Sequence, residues 1–549
     1  MFALLDKENS VAGPGFNRWL VPPAALAVHL CIGMAYGFSV FWLPLSKALG
    51  ITKAIACTGD DGTFWGQAFT TTCDWKITSL SFMYSLFFVI LGSAAAMWGG
   101  WLERAGPRKA GMVASVCWCG GMVISAYGVH THQLWLMWLG SGVIGGIGLG
   151  LGYISPVSTL IKWFPDRRGM ATGMAIMGFG GGALIGSPLA DKLMKFYATP
   201  TSVGVFETFL TLAAVYTVFM LSGSLGYRVP PTGWAPAGWT APAASTNTMI
   251  TSRQVHLNKA WKTPQFWLIW LVLCLNVSAT IGIIGVASPM IQEIFGGHLI
   301  GLDIRFTDLN VDQKKQIATI GAAFAGLFSL FNILGRFFWA SLSDKLGRKL
   351  TYAVFLSAGA LLYLSMPSSA NSGSLPAFVG AICLIASMYG GGFSTVPAYL
   401  ADMFGTQFVG AIHGRLLTAW STAGIIGPVL VTSLRESQQK AGVAGEHVYD
   451  KPMYIIAGLL AAGFVANLLI SPVKPDLAMS DDELAREKAL AHEKAATDQP
   501  GRTGGSALPG PQATVSGASL MPVVLAWAAV GLPLAWGVAQ TLQKIARIF

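Results

Sequence analysis

Long apolar runs separated by short polar segments dominate the chain. They predict two sets of six membrane spans, then a polar tail and one more apolar run from Leu520 to Leu542. Because about 20 apolar residues cross a bilayer as a helix, the pattern predicts an all-α polytopic membrane protein. The first set covers residues 19–49, 77–98, 110–129, 134–161, 170–196 and 205–226. The second set covers residues 264–295, 317–342, 350–367, 376–401, 412–434 and 453–472.

Polar and Pro-rich segments divide these runs into five parts. The linker begins with a Pro-rich stretch, whereas the tail is charged at first and then rich in Gly, Pro, Ser and Ala, as in a flexible tether. For the last helix, a tilted or re-entrant segment is the alternative to a thirteenth span; we favour a peripheral helix docked on the core. The parts are an N-terminal six-helix bundle (1–227), a cytoplasmic linker (228–263), a C-terminal six-helix bundle (264–473), the tail (474–518) and the additional helix (519–549).

Composition supports the membrane assignment. Charged residues make up 11% of the chain and hydrophobic residues 53%, whereas a soluble protein carries about 25% charged residues. A net charge of +10 could suit a nucleic-acid binder, but the basic residues concentrate in the loops on one side of the spans. The positive-inside rule assigns that side to the cytoplasm, so we expect a lipid environment and no nucleic-acid partner.

The chain also repeats itself at an offset of 240 to 241 residues. The turn Gly99–Lys109 after span 2 matches Ala340–Lys349 after span 8, and Gly152-Tyr153 of span 4 matches Gly392-Phe393 of span 10. Two six-helix halves related by an internal repeat are typical of transporters. In such proteins the substrate site lies between the halves near mid-membrane.

Each repeated turn places an acid at the end of one helix, where it can bond backbone donors at the start of a neighbouring helix. Glycine permits the tight reversal, and the basic residues anchor the turn among cytoplasmic headgroups. Two interpretations stay open: a conformational latch between the halves, or a static anchor and topology signal. The candidate gating residues are Glu103, Arg104, Gly106, Arg108, Asp344, Lys345, Gly347 and Arg348.

The paired turns, Gly-x-x-x-Glu-Arg-x-Gly-x-Arg and Ser-Leu-Ser-Asp-Lys-x-Gly-Arg-Lys, resemble the loop signature of the major facilitator superfamily. The likeness covers about residues 17–473 and implies that fold. Finer motifs, among them Lys162–Gly169 and Gly335–Trp339, resemble the oxalate:formate antiporter family of bacterial carboxylate transporters, whose relatives include monocarboxylate carriers. The resemblance implies a secondary active transporter in the bacterial inner (plasma) membrane, and the lack of a signal-peptide pattern places the N-terminus in the cytoplasm.

One arginine, Arg336, lies deep within span 8, eight residues before Asp344. At about 1.5 Å per residue it is roughly 12 Å from the polar turn, close to mid-membrane. An ionised group there costs roughly 2.5–3.5 kcal/mol on insertion scales and usually faces a protein interior or a watery cavity. The alternative is an arginine that snorkels to the interface or pairs with a buried acid. The resemblance implies that Arg336 holds a substrate carboxylate, for which its planar fork offers two parallel bonds.

Oxalate handlers of the family also carry a lysine in span 11, and the matching position here is Trp420. A dianion that faces one arginine keeps an unpaired buried charge, which costs several kcal/mol. We therefore expect a small monocarboxylate (lactate, formate, glycolate or pyruvate) ahead of oxalate. An oxalate:formate antiporter is the alternative, and a membrane carboxylate sensor without transport is a remote one.

Further candidates line the same region. Asn332 is one turn from Arg336 on the same face, where it either binds the ligand or forms an interhelical amide bond. The resemblance implies aromatic wall positions, each of which could equally be plain helix packing. His29 in span 1 is either a proton carrier or a packing residue. The aromatic wall positions are Tyr36, Tyr153, Tyr389 and Phe393.

Paired acids, metal-ligand clusters, nucleophile–base sets and Walker-type loops are missing from the predicted spans. We therefore predict that the chain is not an enzyme and uses no catalytic residue, metal or cofactor. The expected partners of a monomeric transport unit are a small carboxylate and a counter-transported anion or proton. Cys57 and Cys73 share the long first outer loop, on the oxidising side of the membrane, so we expect a disulfide there.

Overall fold

The computed structural model describes residues 2–545 except 52, 232, 240–248, 444, 488 and 490–519. Within these residues, thirteen helices are long and apolar enough to cross a membrane, and we label them α1 to α13. Helices α1–α6 form the N half: Arg18–Leu45, Ile77–Ala105, Pro107–His130, Leu134–Trp163, Arg168–Tyr197 and Val205–Gly226. Helices α7–α12 form the C half: Pro264–Ile284, Val311–Leu346, Arg348–Asn371, Leu375–Phe404, Val409–Lys440 and Gly445–Leu469. Helix α13 is Met521–Gln543.

Two spans are less regular than their apolar pattern predicts. Predicted span 7 is two helices, because α7 ends at Ile284 and a separate helix runs from Ala287 to Phe295. Helix α1 narrows to a 3-10 helix over Gly33–Phe41. A Cβ atom on Gly33 would lie 2.2 Å from the carbonyl oxygen of Phe179 on α5. The glycine therefore lets the backbones of α1 and α5 touch, as small residues do between membrane helices.

The two repeated turns lie on the same face of the molecule, which we call the basic face. Helices α2 and α3 meet at Gly106 (φ +92°), and α8 and α9 meet at Gly347 (φ +83°). Side chains with a Cβ atom rarely adopt such positive φ angles, so glycine is the residue that allows both reversals. The two turns are structural equivalents, as the internal repeat predicts.

Acidic side chains of these turns join the two halves across the basic face. The Asp344 carboxylate of the C half accepts hydrogen bonds from the Gly169 and Met170 amides at the start of α5, at 2.8 and 2.9 Å. The Glu103 carboxylate of the N half accepts one from the Gly410 amide at the start of α11, at 3.0 Å. Free amide groups and the helix dipole favour an anion at each helix start. The structure thus has the contacts that the turn sequences suggested, once in each direction.

Ion pairs strengthen this closure. Asp402 of α10 bonds Arg168 of the N half at 2.8 Å and Arg348 of its own half at 3.0 Å. Lys162 bonds Glu103 at 2.6 Å. Arg348 also bonds Asp344 at 2.6 Å, so both carboxylates that cap helix starts are balanced by cations, and the basic face is closed in this structure.

The opposite face, which we call the disulfide face, carries the bond between Cys57 and Cys73. Next to it, the buried Asp74 carboxylate accepts hydrogen bonds from three backbone amides of the same loop, at 2.7 to 3.1 Å. The His132 ring stacks on Trp75 at 4.1 Å, and its Nε2 donates to the Cys73 carbonyl at 2.9 Å. Burial lowers the pKa of His132, so the neutral ring is favoured. The loop is therefore a folded cap on the N half.

Helix α13 packs against the outside of the core, as we expected of the last apolar run. The Trp527 indole nitrogen donates to the Trp19 carbonyl oxygen of α1 at 3.1 Å. Val530 of α13 is buried in a small cluster with Leu26 and Ala27 of α1. Most of the predicted flexible tail (474–518) lies outside the described residues.

Replacing both Cys57 and Cys73 by Ala should destabilise the cap. Their bond joins residues 16 positions apart, and a closed loop of that size contributes about 3 kcal/mol by restricting the unfolded chain. We expect a lower thermal midpoint in detergent. A reducing agent should lower the midpoint of the native protein and leave that of the double variant unchanged. Mass spectrometry that finds both thiols free in the native protein would remove this bond from the structure.

Candidate substrate site

Arg336 lies fully buried between the two halves. Its Nε donates to the Asn332 side-chain oxygen at 2.9 Å, one turn away on α8. Its Nη1 donates to the Ile176 carbonyl oxygen on α5 at 3.2 Å, a bond that crosses from the C half to the N half. Its Nη2 is buried without a hydrogen-bond partner. Asn332 thus orients the guanidinium so that one nitrogen remains available.

The two alternatives for Arg336 do not match this environment. Its side chain has no exposed surface, so it does not snorkel to the interface. Its hydrogen bonds go to an amide and a carbonyl, the neutral hydroxyls of Tyr36 and Tyr153 interact with it, and within the described part of the chain no carboxylate pairs with it. An unpaired buried cation is costly unless an anion joins it. The arrangement is therefore suited to a negatively charged ligand.

Aromatic rings from both halves of the protein pack against the guanidinium. Phe179 of α5 and Phe393 of α10 have ring centres 5.8 and 5.6 Å from its central carbon, within the range of cation–π attraction. Trp420 of α11 completes the wall, with its ring centre 4.7 Å from that of Phe393 and 5.4 Å from that of Phe179. These rings exclude water and so strengthen electrostatic contacts inside the site.

Tyrosine hydroxyls add polar groups to this aromatic wall. Tyr36 of the N half and Tyr389 of the C half have their hydroxyl oxygens 3.4 Å apart. Tyr153, whose ring is 5.4 Å from that of Trp420, has a buried hydroxyl without a partner, and the Trp420 indole nitrogen also lacks one. Electrostatic interactions link the Tyr36 and Tyr153 hydroxyls to Arg336. Since buried donors are normally satisfied, these unpartnered groups indicate a ligand with several acceptor atoms.

His29 lies at the edge of the site and contacts the backbone. Its Nδ1 is 2.6 Å from the Ala175 carbonyl oxygen, and its Nε2 is 3.2 Å from that of Tyr153. The ring packs 5.4 Å from the Tyr153 ring. His29 therefore joins α1 to α4 and α5. The sequence analysis left His29 as either a proton carrier or a packing residue. In the structure both ring nitrogens face backbone carbonyl groups.

Several residues of the site are missing from the sequence prediction. Phe179 is the one bulky side chain in Gly178–Gly182. A single large residue among glycines could have marked it as a candidate site residue. The Ile176 carbonyl is a backbone group, for which a side-chain pattern has no signal. His413 of α11 is fully buried with neither ring nitrogen bonded, 5.9 Å from the Tyr153 ring. Only the packing of α11 against α4 reveals its position.

The predicted fork geometry of Arg336 is present only in part. Nε and Nη1 already have protein acceptors, which leaves Nη2 as the free guanidinium nitrogen. A carboxylate would therefore bond Nη2 with one oxygen and a neighbouring hydroxyl or indole N–H with the other. A two-bond fork requires the guanidinium to release Ile176 or Asn332 first.

Comparisons with known proteins agree with the fold. A family model described as Major Facilitator Superfamily matches residues 25–428 and 279–543. The chain is 23% identical over 475 residues to the oxalate:formate antiporter of Oxalobacter formigenes, covering 85% of this chain and 96% of that one. It is 25% identical over 450 residues to apicoplast pyruvate carrier 1 of Toxoplasma gondii, covering 70% and 78%.

Among solved structures, the Escherichia coli fucose:proton symporter superposes with a TM-score of 0.53 at 13% identity, over 83% of this chain and all of that one. At that identity the superposition establishes a shared fold. The family model reaches well over half of the chain and spans both halves. The chain therefore belongs to the Major Facilitator Superfamily.

Proposed function

We propose that this protein is a secondary active transporter of small monocarboxylate anions. The observation that carries the proposal is the buried Nη2 of Arg336, which has neither a hydrogen-bond partner nor a carboxylate beside it. Its position between the halves suits a group that each face reaches in turn, which is the general arrangement of transporters built from repeats. Lactate, formate, glycolate and pyruvate are the candidate substrates.

Charge balance favours a monoanion. One guanidinium neutralises one carboxylate, and the other groups around it are neutral aromatic rings and hydroxyls. A second negative charge would be buried against the Trp420 indole at a cost of several kcal/mol. The free hydroxyl of Tyr153 and the indole N–H of Trp420 can serve the second carboxylate oxygen or a hydroxyl or keto oxygen beside it.

Oxalate:formate exchange is the second candidate. The likeness to the Oxalobacter formigenes antiporter over 85% of this chain favours it, whereas the tryptophan at position 420 counts against a dianion. Similarity to apicoplast pyruvate carrier 1 of Toxoplasma gondii supports a monocarboxylate. We favour the monocarboxylate proposal because the charge of the site limits the charge of the ligand that it can bind.

Transport would follow from competition at Arg336. In the present state its Nη1 bonds the Ile176 carbonyl of the opposite half, and the basic face is closed by the Asp344 and Glu103 contacts. A carboxylate that reaches the site from the disulfide face would satisfy Nη2 and remove the cost of the lone cation. The halves could then rock around a neutral site. By the positive-inside rule the basic face is cytoplasmic and the disulfide face is external.

Replacing Arg336 by Lys should reduce exchange of every transported carboxylate at least tenfold. Lysine keeps the charge, but its three N–H groups share one nitrogen and cannot take the separate positions of Nε, Nη1 and Nη2, and a charged hydrogen bond contributes about 1.5–3 kcal/mol. Counterflow in proteoliposomes with radiolabelled lactate, formate, glycolate and pyruvate measures the effect. Arg253→Lys, at an exposed arginine, is the matched control and should transport normally. Native rates in Arg336→Lys would refute the role of Arg336.

Replacing Trp420 by Lys should shift selectivity towards oxalate. A second cation in the site would balance the second carboxylate, whereas it would leave a monoanion with excess positive charge. We expect native protein to load formate or lactate faster than oxalate and the lysine variant to reverse that order. Trp420→Leu, which removes the ring without adding charge, should lose rate without the reversal. Preference of the native protein for oxalate would contradict the monocarboxylate proposal.

A further inference from the structure

Helix α13 is anchored along the N half. In addition to the Trp527–Trp19 hydrogen bond, its Trp536 ring lies 5.0 Å from the Lys192 ammonium of α5. A Cβ atom on Gly537 would lie 2.8 Å from the Leu184 carbonyl oxygen, so helix α13 touches the α5 backbone at that glycine. The helix thus runs from the basic-face end of α1 to the part of α5 that points towards the disulfide face.

The same helix also reaches the C half. A Cβ atom on Gly326 of α8 would lie 3.1 Å from the Thr541 methyl carbon. Gly326 precedes Arg336 by ten residues, about 15 Å nearer the disulfide face. Helix α13 therefore contacts α5 and α8 together, one from each half, and its contact with α8 lies between Arg336 and the disulfide face.

Helices α5 and α8 touch each other directly from the basic face to the level of Arg336. Those contacts begin at Gly169 and Asp344, where the halves are latched. They continue to Gly180, on which a Cβ atom would lie 3.0 Å from Ile333. Beyond that level, Leu184 and Gly326 each contact α13. Helix α13 thus bridges α5 and α8 on the disulfide-face side of Arg336.

We propose that helix α13 is an intramolecular partner that binds the transporter core selectively in the state seen here, in which the basic face is closed. When the halves rock to open the basic face, the outer segments of α5 and α8 approach each other, and the surface that α13 contacts on both helices changes. A ligand with unequal affinity for two states shifts their populations by that difference. The tail tethers α13 to the core, which gives it a high effective concentration.

The proposal goes beyond the nature of the substrate, since it requires only two halves that move. It also gives a reason for a helix outside the twelve of the repeat. An inert anchor could bind one half alone, whereas α13 contacts α5 and α8. Docking in one state slows the return to the other, so α13 would set the balance between the two faces of the cycle.

Two glycines of α13 provide a matched test. Gly537→Leu introduces a side chain against the Leu184 carbonyl and should displace the helix, whereas a Cβ atom on Gly531 meets nothing within 4 Å. Spin labels are attached at Thr201→Cys and Asp312→Cys, both exposed near the disulfide face. Pulsed electron paramagnetic resonance then measures the distance between the two labels, which reports the separation of the halves. The five unpaired cysteines are replaced by alanine in this background.

We expect native protein and Gly531→Leu to share one long distance, and Gly537→Leu to populate a distance several ångström shorter. Trp527→Phe removes only the bond to Trp19 and should shift the population less in the same direction, so the test survives poor folding of Gly537→Leu. Identical distance distributions in all four proteins would overturn the proposal. The distance measurement needs no substrate. Unchanged distances would therefore not bear on the proposed carboxylate substrate, and a failure to transport carboxylates would not bear on the role of α13.

Discussion

A single uncompensated cation between the two halves is the constraint on which the rest of the structure depends. Burial of the Arg336 charge is unfavourable, and the protein offsets that cost with two neutral acceptors and two aromatic faces. These neutral groups lower the cost without satisfying the charge. Under the proposed function an arriving anion would relieve the remaining cost, and affinity for an anion would follow from incomplete compensation inside the protein.

Closure of the basic face rests on a different balance. Glu103 and Asp344 each cap a helix of the opposite half, where unsatisfied amide groups would otherwise face the interface. Because the halves derive from one repeat, the same device occurs twice with the roles of the halves exchanged. The site thus contains a charge without a counter-ion, whereas the charges that close the basic face are paired.

Sequence patterns anticipated most of the architecture and part of the site. The apolar runs placed the spans, although span 7 proved to be two helices and α1 narrows to a 3-10 helix near Gly33. The narrowing of α1 occurs where α5 packs closely against Gly33, which a one-dimensional hydropathy pattern does not record. The spacing from Arg336 to the turn predicted a position near mid-membrane, and the structure buries the side chain between the two halves. It carried no information on which guanidinium nitrogens are occupied, because the Ile176 carbonyl comes from a helix 160 residues away in sequence.

By itself, the sequence determined that this chain is a helical membrane protein with a twofold internal repeat and an arginine inside one of its apolar spans. Those features follow from residue hydrophobicity, spacing and the cost of charge in hydrocarbon, all of which are local. Tertiary structure alone decided that Nη2 is the free nitrogen, that Phe179 and His413 border the site, and that α13 touches both α5 and α8. Each of these depends on how distant helices pack, and packing is a property of the assembled helices.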